Sequence, residues 1–292
     1  MRNLSCSHLA YVIKDPDVLN SPIVFASPHS GRAYSDAFLH SSVLDARTIR
    51  SSEDAFVDQL IDFIPKMGAP LIFAKVPRAY VDMNRSADEL DPALIHGVRD
   101  RSQNPRITSG LGVIPRVVSH ARSIYSGKLS MSEAQSRIDR YWTPYHDALH
   151  LLLSRAQDFF GYSLLIDMHS MPYEAVSHMN NTQQSMEVVI GDRFGASANI
   201  VFADVIENVF ENHGFSVSRN IPFAGAYITQ RYGHPKKSKH AIQIELNRKL
   251  YLDEEKILPS ENFKNFKDRL EKVIVEIIDD IVQDKGRSLA AE

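Results

Sequence analysis

The chain has little of what several kinds of functional site require. Its 292 residues include one cysteine, Cys6. A single thiol cannot close an internal disulfide, and a thiolate metal site of the Cys-x-x-Cys kind is excluded. There is no basic excess: 33 Lys and Arg stand against 36 Asp and Glu, a formal net charge of -3. That balance gives no electrostatic footprint for nucleic acid or for an anionic membrane. No apolar run approaches the ~20 residues needed to span a bilayer. The opening stretch lacks the apolar core of a signal peptide, so the cytoplasm is the expected compartment. Without secretion the sequon Asn180-Asn181-Thr182 carries no meaning. Neither a Gly-x-x-x-x-Gly-Lys phosphate loop nor a Gly-x-Gly-x-x-Gly fingerprint occurs, and no Gly-x-Ser-x-Gly elbow supports a serine hydrolase.

What is present is ordinary globular composition, 43% hydrophobic and 24% charged. Short apolar runs alternate with longer amphipathic ones, the α/β signature. Strands are predicted at Ile23 to Ala26, Leu71 to Val76, Tyr162 to Asp167, Val188 to Gly191 and Ala241 to Leu246. Several are apolar almost throughout, as strands covered on both faces must be. Ser130 and Glu133 form a capping box before a helix that Pro144 should kink or interrupt. A second helix carries Val201, Phe202, Val205, Ile206, Val209 and Phe210, with Gly214 as its stop. A third follows Ser260, with an apolar stripe from Phe263 to Ile281 that core packing explains best. The stretch from Ser86 to Val117 reads as a long loop of the kind that often serves function. No repeat or linker composition divides the chain. The expectation is one domain over residues 1–292, with a disordered tail from about residue 286.

Isolated polar residues sit just beyond the apolar strands, where ligands bind in open α/β sheets. Ser27-Pro28-His29-Ser30-Gly31 follows the first strand, Asp167-Met168-His169-Ser170 closes another, and Glu245 stands inside Gln243-Ile244-Glu245-Leu246-Asn247-Arg248. Two histidines and a carboxylate form a standard catalytic zinc set with one position left for water. His29 and His169 are the best histidines, although a histidine beside a strand, taken alone, is more often a hydrogen-bonded core or surface residue than a ligand. The acidic segment Ser51 to Asp58 offers the carboxylate, and N-terminal helix capping is the bland alternative for it. In Pro77-Arg78-Ala79-Tyr80-Val81-Asp82-Met83-Asn84-Arg85, an Asn-Arg pair can grip a carboxylate, or Arg85 can form a surface pair with Asp88. In a regular strand Asn84 and Arg85 would point to opposite faces, so both reach one ligand only if the chain turns there.

Ser27 to Arg32, Glu53 to Asp58, Val81 to Arg85, Asp167 to Ser170 and Gln243 to Arg248 resemble, in that order, the N-formylglutamate amidohydrolase family. So does Pro222-Phe223-Ala224-Gly225, followed by Ile228-Thr229 and Tyr232-Gly233. The resemblance runs from about Ser21 to Tyr251. That family resembles the zinc carboxypeptidases in fold. This implies a single-domain three-layer α/β/α arrangement around a mixed central sheet, of the phosphorylase/hydrolase-like kind. The carboxypeptidase order of ligand histidine, ligand carboxylate, arginine, Asn-Arg pair, second histidine and late glutamate is met here by His29, Asp54 or Glu53, Arg78, Asn84-Arg85, His169 and Glu245. The carboxypeptidases place their carboxylate in a compact His-x-x-Glu, whereas here it lies well downstream; Asp54 is preferred.

The resemblance implies one zinc ion per chain held by His29, Asp54 and His169, although manganese, cobalt or iron(II) would suit the same donors. It makes Glu245 the general base, Arg78 an oxyanion stabiliser, and Asn84 and Arg85 the grip on a substrate carboxylate. Asp167 would orient His169. Arg32, Arg116 and Arg231 are candidates for a second carboxylate. The implied reaction releases formate from a small N-acyl amino acid, N-formylglutamate if the family name applies, in histidine degradation. Neither nucleic acid nor membrane is an expected partner, and the oligomeric state stays open. A deacylase or peptidase with another acyl group, and a non-catalytic binding protein on the same scaffold, are the competing readings.

Overall fold

The computed structural model describes residues 10–99, 104–177 and 186–289. Cys6 and the sequon at Asn180 lie outside the described residues. Seven strands form a mixed sheet: β1 (Tyr11–Lys14), β2 (Ile23–Ser27), β3 (Leu71–Ala74), β4 (Ser163–Met171), β5 (Val188–Gly191), β6 (Val217–Arg219) and β7 (Lys239–Asn247). Their order is β1-β3-β2-β4-β7-β5-β6. β2, β4 and β7 are parallel, β5 is antiparallel to β7, and β6 is parallel to β5. Helices flank this sheet, so the fold is of the α/β class. Every residue of β2, β4 and β5 is buried, which is why the core of each strand reads as an apolar run.

β4 and β7 run further than their apolar cores. The predicted ends were Asp167 and Leu246; the strands continue to Met171 and Asn247. The two pair in register from Ser163↔Lys239 to Met171↔Asn247. Mutual pairing satisfies the backbone of the polar stretch, so polar side chains do not end the strand. His169 and Glu245 therefore stand within strands. β1 and β6 are four and three residues long and only half-buried; β1 holds just the short apolar run Tyr11-Val12-Ile13, and no apolar run announces β6.

Backbone contacts group the chain into two compact units. One comprises residues up to Val12, Pro28–Ala55 and Phe73–His150. It contains α1 (Asp36–Ser41) and α2 (Met131–Arg137). Its interior is organised on Arg137, whose guanidinium lies 3.9 Å from the Tyr80 ring and donates to Tyr125 Oη (2.7 Å), Tyr80 O (3.2 Å) and Glu133 Oε1 (2.8 Å). Ser130 caps α2 by accepting from Glu133 N at 3.1 Å. A π-helical turn, Ile138–Trp142, joins α2 to α3 (Thr143–Phe160). Pro144 is the second residue of α3. The expected interruption takes the form of this widened turn, which carries the chain past the missing Pro144 N–H and the ring that would strike the carbonyl four residues back.

The other unit comprises Ile13–Ser27, Phe56–Ile72 and the chain from Leu151 onward. Here α4 (Ile200–Asn212) starts at Asn199, whose side chain accepts from Val201 N at 3.1 Å, and stops before Gly214 at φ +76°. It packs on α6 (Phe263–Leu289), α5 being the short helix Tyr227–Tyr232. The stripe Phe266, Leu270, Val273, Ile274, Ile277, Ile278 and Ile281 is buried, each side chain contributing roughly 1.5–3 kcal/mol. The tail expected from about residue 286 overlaps the end of α6, and residues 290–292 lie outside the described ones. The described part of the Ser86 to Val117 excursion is irregular apart from the helical turn Pro105–Thr108 and the start of a two-residue strand at Val117.

Candidate metal centre and its surroundings

β2 delivers His29 two residues past its end. The loop that follows runs against Lys75 and Val76: Ala33 N donates to Lys75 O at 2.9 Å. A Cβ at Gly31 would stand 2.1 Å from Val76 O, so only glycine permits this approach. Asp54 N donates to His29 O at 3.1 Å, which ties the acidic segment to the histidine. The helix expected from Ser51 does not begin there. Phe56, at φ 63°, precedes a single helical turn, Val57–Leu60, so neither Glu53 nor Asp54 caps it. Both carboxylates are buried, with different partners. Arg50 clasps Glu53, Nε to Oε1 at 2.9 Å and Nη2 to Oε2 at 3.1 Å. Asp54 Oδ2 lies 3.5 Å from His29 Nδ1.

The segment 77–86 turns instead of forming a strand. Asp82 is its hub. It accepts from His29 Nε2 at 2.7 Å, Asn84 N at 2.8 Å and Arg78 Nη2 at 2.9 Å. Burial by itself would raise the pKa of Asp82, but the charges of His29, Arg78 and Arg85 outweigh it and hold the carboxyl well below the ordinary value. Arg78 also donates to Ser52 O at 3.4 Å and lies 3.9 Å from Asp54 Oδ1. Arg85 is buried and makes no surface pair with Asp88. Its Nε donates to Leu111 O at 2.9 Å and its Nη1 to Asn84 O at 2.8 Å, while burial lowers its pKa.

On β4, Asp167 and His169 share a face by the two-residue period, and Asp167 Oδ2 meets His169 Nε2 at 2.9 Å. On β7, Gln243 and Glu245 repeat the spacing, with Gln243 Nε2 donating to Glu245 Oε1 at 2.8 Å. The register pairs Asp167 with Gln243 and His169 with Glu245.

His29, Asp54 and His169 are buried and each offers a ligand atom, all within 4.8 Å of one another. His29 Nδ1 and Asp54 Oδ2, 3.5 Å apart, are spaced much as the ligand atoms of a filled tetrahedral site, about 3.3 Å. The chemistry of the set fits a divalent ion: two imidazole nitrogens and a carboxylate oxygen. In each ring a carboxylate holds Nε2, Asp82 for His29 and Asp167 for His169, which makes Nδ1 the nitrogen suited to a metal.

The family model of N-formylglutamate amidohydrolase matches residues 21–252. The chain belongs to the N-formylglutamate amidohydrolase family. It is 32% identical over 236 residues to an N-formylglutamate deformylase of Pseudomonas putida, covering 80% of this chain and 82% of that protein. It is 31% identical over 237 residues to the N-formylglutamate deformylase of Pseudomonas aeruginosa PAO1, covering 80% and 83%. The crystal structure of N-formylglutamate amidohydrolase from Ralstonia eutropha JMP134 is 31% identical and superposes with a TM-score of 0.86 over 96% of this chain and 99% of that one.

For a member of the N-formylglutamate amidohydrolase family, the buried His29, Asp54 and His169 are consistent with a metal site. Of the arginines considered for a second carboxylate, Arg116 is engaged by Asp91 Oδ2 at 2.8 Å. Arg32 donates to Ser30 O at 3.2 Å and Arg231 to Tyr227 Oη at 2.7 Å, both side chains being exposed. Ser170 accepts from Arg248 Nε at 3.2 Å. Among the described residues no helix is long and apolar enough to cross a membrane. Sequence reasoning gave no role to Asp82 or Gln243. Each is a polar residue in an apolar stretch two positions from another polar residue, the same signal that singled out Asp167 beside His169.

Proposed function

We propose that this protein hydrolyses the amide bond of N-formyl-L-glutamate, releasing formate and L-glutamate, with zinc as its resident ion. The observation that carries the reading is the convergence of His29, Asp54 and His169, with Glu245 beside His169 in the sheet register. Family membership supplies the class of reaction, and the names of the relatives support the substrate. A divalent ion held by the three ligands supplies, when bound, a Lewis acid for the acyl oxygen and a more acidic water. Glu245 takes a proton from the attacking water and returns it to the leaving nitrogen, so one water is consumed as the C–N bond breaks. Asp82 and Asp167 keep the two imidazoles oriented. Asn84 and Arg85 are assigned to the substrate carboxylate, with the peptide chain turning at this point as such a joint grip requires. Arg78 is assigned to the developing oxyanion from its place against Asp82 and Asp54.

Formate release from N-formyl-L-glutamate is compared with hydrolysis of N-formyl-L-aspartate, N-acetyl-L-glutamate and N-succinyl-L-glutamate, with metal measured on the same protein. Preference for the first substrate is expected. Zinc-loaded protein that cleaves an acetyl or succinyl amide and spares the formyl one overturns the substrate. Glu245→Gln should fold, bind zinc and lose roughly 10²–10⁴ in kcat, with KM little changed; near-normal turnover removes Glu245 as the base.

A further inference from the structure

We infer that Gln243 is a positioning residue that fixes the carboxylate of Glu245, an inference that rests on Glu245 being the base. Gln243 lies in the apolar stretch Ala241-Ile242-Gln243-Ile244, and its side chain is buried. A polar group held there must answer to a partner. Its Nε2 donates to Glu245 Oε1 at 2.8 Å. Its Oε1 is buried and makes no hydrogen bond to any described residue. Glu245 is therefore the amide's hydrogen-bond partner among the described residues. A glutamine kept for the fold would bond the backbone of a neighbouring strand; this one bonds the side chain two residues ahead on its own face.

The placement repeats on the adjacent strand. Asp167 holds His169 on β4 as Gln243 holds Glu245 on β7, and the register aligns the two pairs side by side. The sheet thus carries a layer of His169 and Glu245 and, two residues earlier along each strand, a layer of Asp167 and Gln243 that sets their angles. Residue type follows from what each supports. An imidazole N–H needs an acceptor, which Asp167 supplies. A carboxylate needs a donor, and an amide provides one without bringing a second charge to the ion. A glutamate carboxylate on three rotatable bonds is poorly oriented by packing alone. Holding Oε1 assigns the proton transfer to Oε2.

Gln243→Met keeps length and bulk and deletes the donor. Turnover of the zinc-loaded variant should fall roughly 10–100-fold, the scale of a catalytic group displaced by about an ångström. KM should stay within about 3-fold, and zinc content and melting temperature should match wild type, because the change falls on the transition state. The decisive readout is a double-mutant cycle. In a Glu245→Gln background the Gln243→Met change should lower the residual turnover less than about 3-fold, since there is no base left to orient. Full activity in Gln243→Met, an equal loss in both backgrounds, or a loss that tracks released zinc or a lowered melting temperature would each overturn the inference. Gln243→Leu is subject to the same criteria and serves if the methionine variant does not fold. Glu245→Gln measured alone separates the two ideas. If it keeps wild-type turnover, the base assignment falls. If it is crippled while Gln243→Met is not, the base stands and the positioning role falls.

Discussion

Glu53 and Asp54 are neighbours, both buried, and equally good carboxylates on paper. Sequence order alone could not separate them, because the difference lies in a residue three positions earlier. Arg50 folds back over the turn and takes both oxygens of Glu53, whereas Asp54 faces His29. The partners of Asp82 were hidden for a related reason. Its three donors come from residues 29, 78 and 84, and only the fold gathers them. The two acids should respond oppositely to loss of charge. Asp54→Asn should abolish stoichiometric zinc binding. Glu53→Gln should keep zinc and instead destabilise the chain by about 3 kcal/mol, the low end for breaking a buried ion pair, because Arg50 is partly solvated. Metal content per chain and urea unfolding distinguish them; zinc lost from Glu53→Gln and kept in Asp54→Asn would exchange their roles.

Strand cores, helix caps and the interruption near Pro144 were all visible as local patterns, since each depends on residues within one turn or one run. What local pattern could not supply was length and pairing. β4 and β7 outlast their apolar cores because each completes the other's hydrogen bonds, and this extension is what puts His169 opposite Glu245. The turns at 29–33 and 77–86 were likewise hidden. One depends on Gly31 meeting Val76 O, the other on Asp82 accepting from Asn84 N. Gly31→Ala should therefore act on the site through its loop. With 2.1 Å available to the new Cβ, the backbone must shift, and His29 is two residues away. Overpacking of this kind costs roughly 1–3 kcal/mol, and a displaced ligand should weaken zinc at least as much as loss of an outer-shell partner, about 10–100-fold. Competition with a chelating dye measures this. Unchanged zinc affinity would show that the loop can shift without carrying His29.

At the scale of the molecule, family membership and fold class follow from ordered motifs and apolar patterning, whereas the energetic role of the metal does not. Zinc held by His29, Asp54 and His169 in the folded chain alone should make that chain markedly more stable. An ion that binds only the folded state adds about 2.7 kcal/mol at one hundred times its dissociation constant, roughly 5 °C in melting temperature for a chain of this length. The gain should shrink as pH falls, because the histidines must be neutral to ligate. Asp82 adds an acid-side contribution of its own in the metal-free chain. Its carboxyl is held well below the ordinary value, so the stability it contributes is present above about pH 4 and is lost as pH falls through its lower folded value. Thermal melts with zinc and with chelator at pH 7.5 and pH 5 test the first statement; melts of the chelated chain at pH 5 and pH 3, in which the melting temperature should fall, test the second. The zinc-dependent shift should be large at the higher pH, smaller at the lower, and absent in Asp54→Asn at either. Melts that coincide with and without zinc at pH 7.5, or an Asp54→Asn chain that shifts as the wild type does, would show that the ion is not held by these three residues.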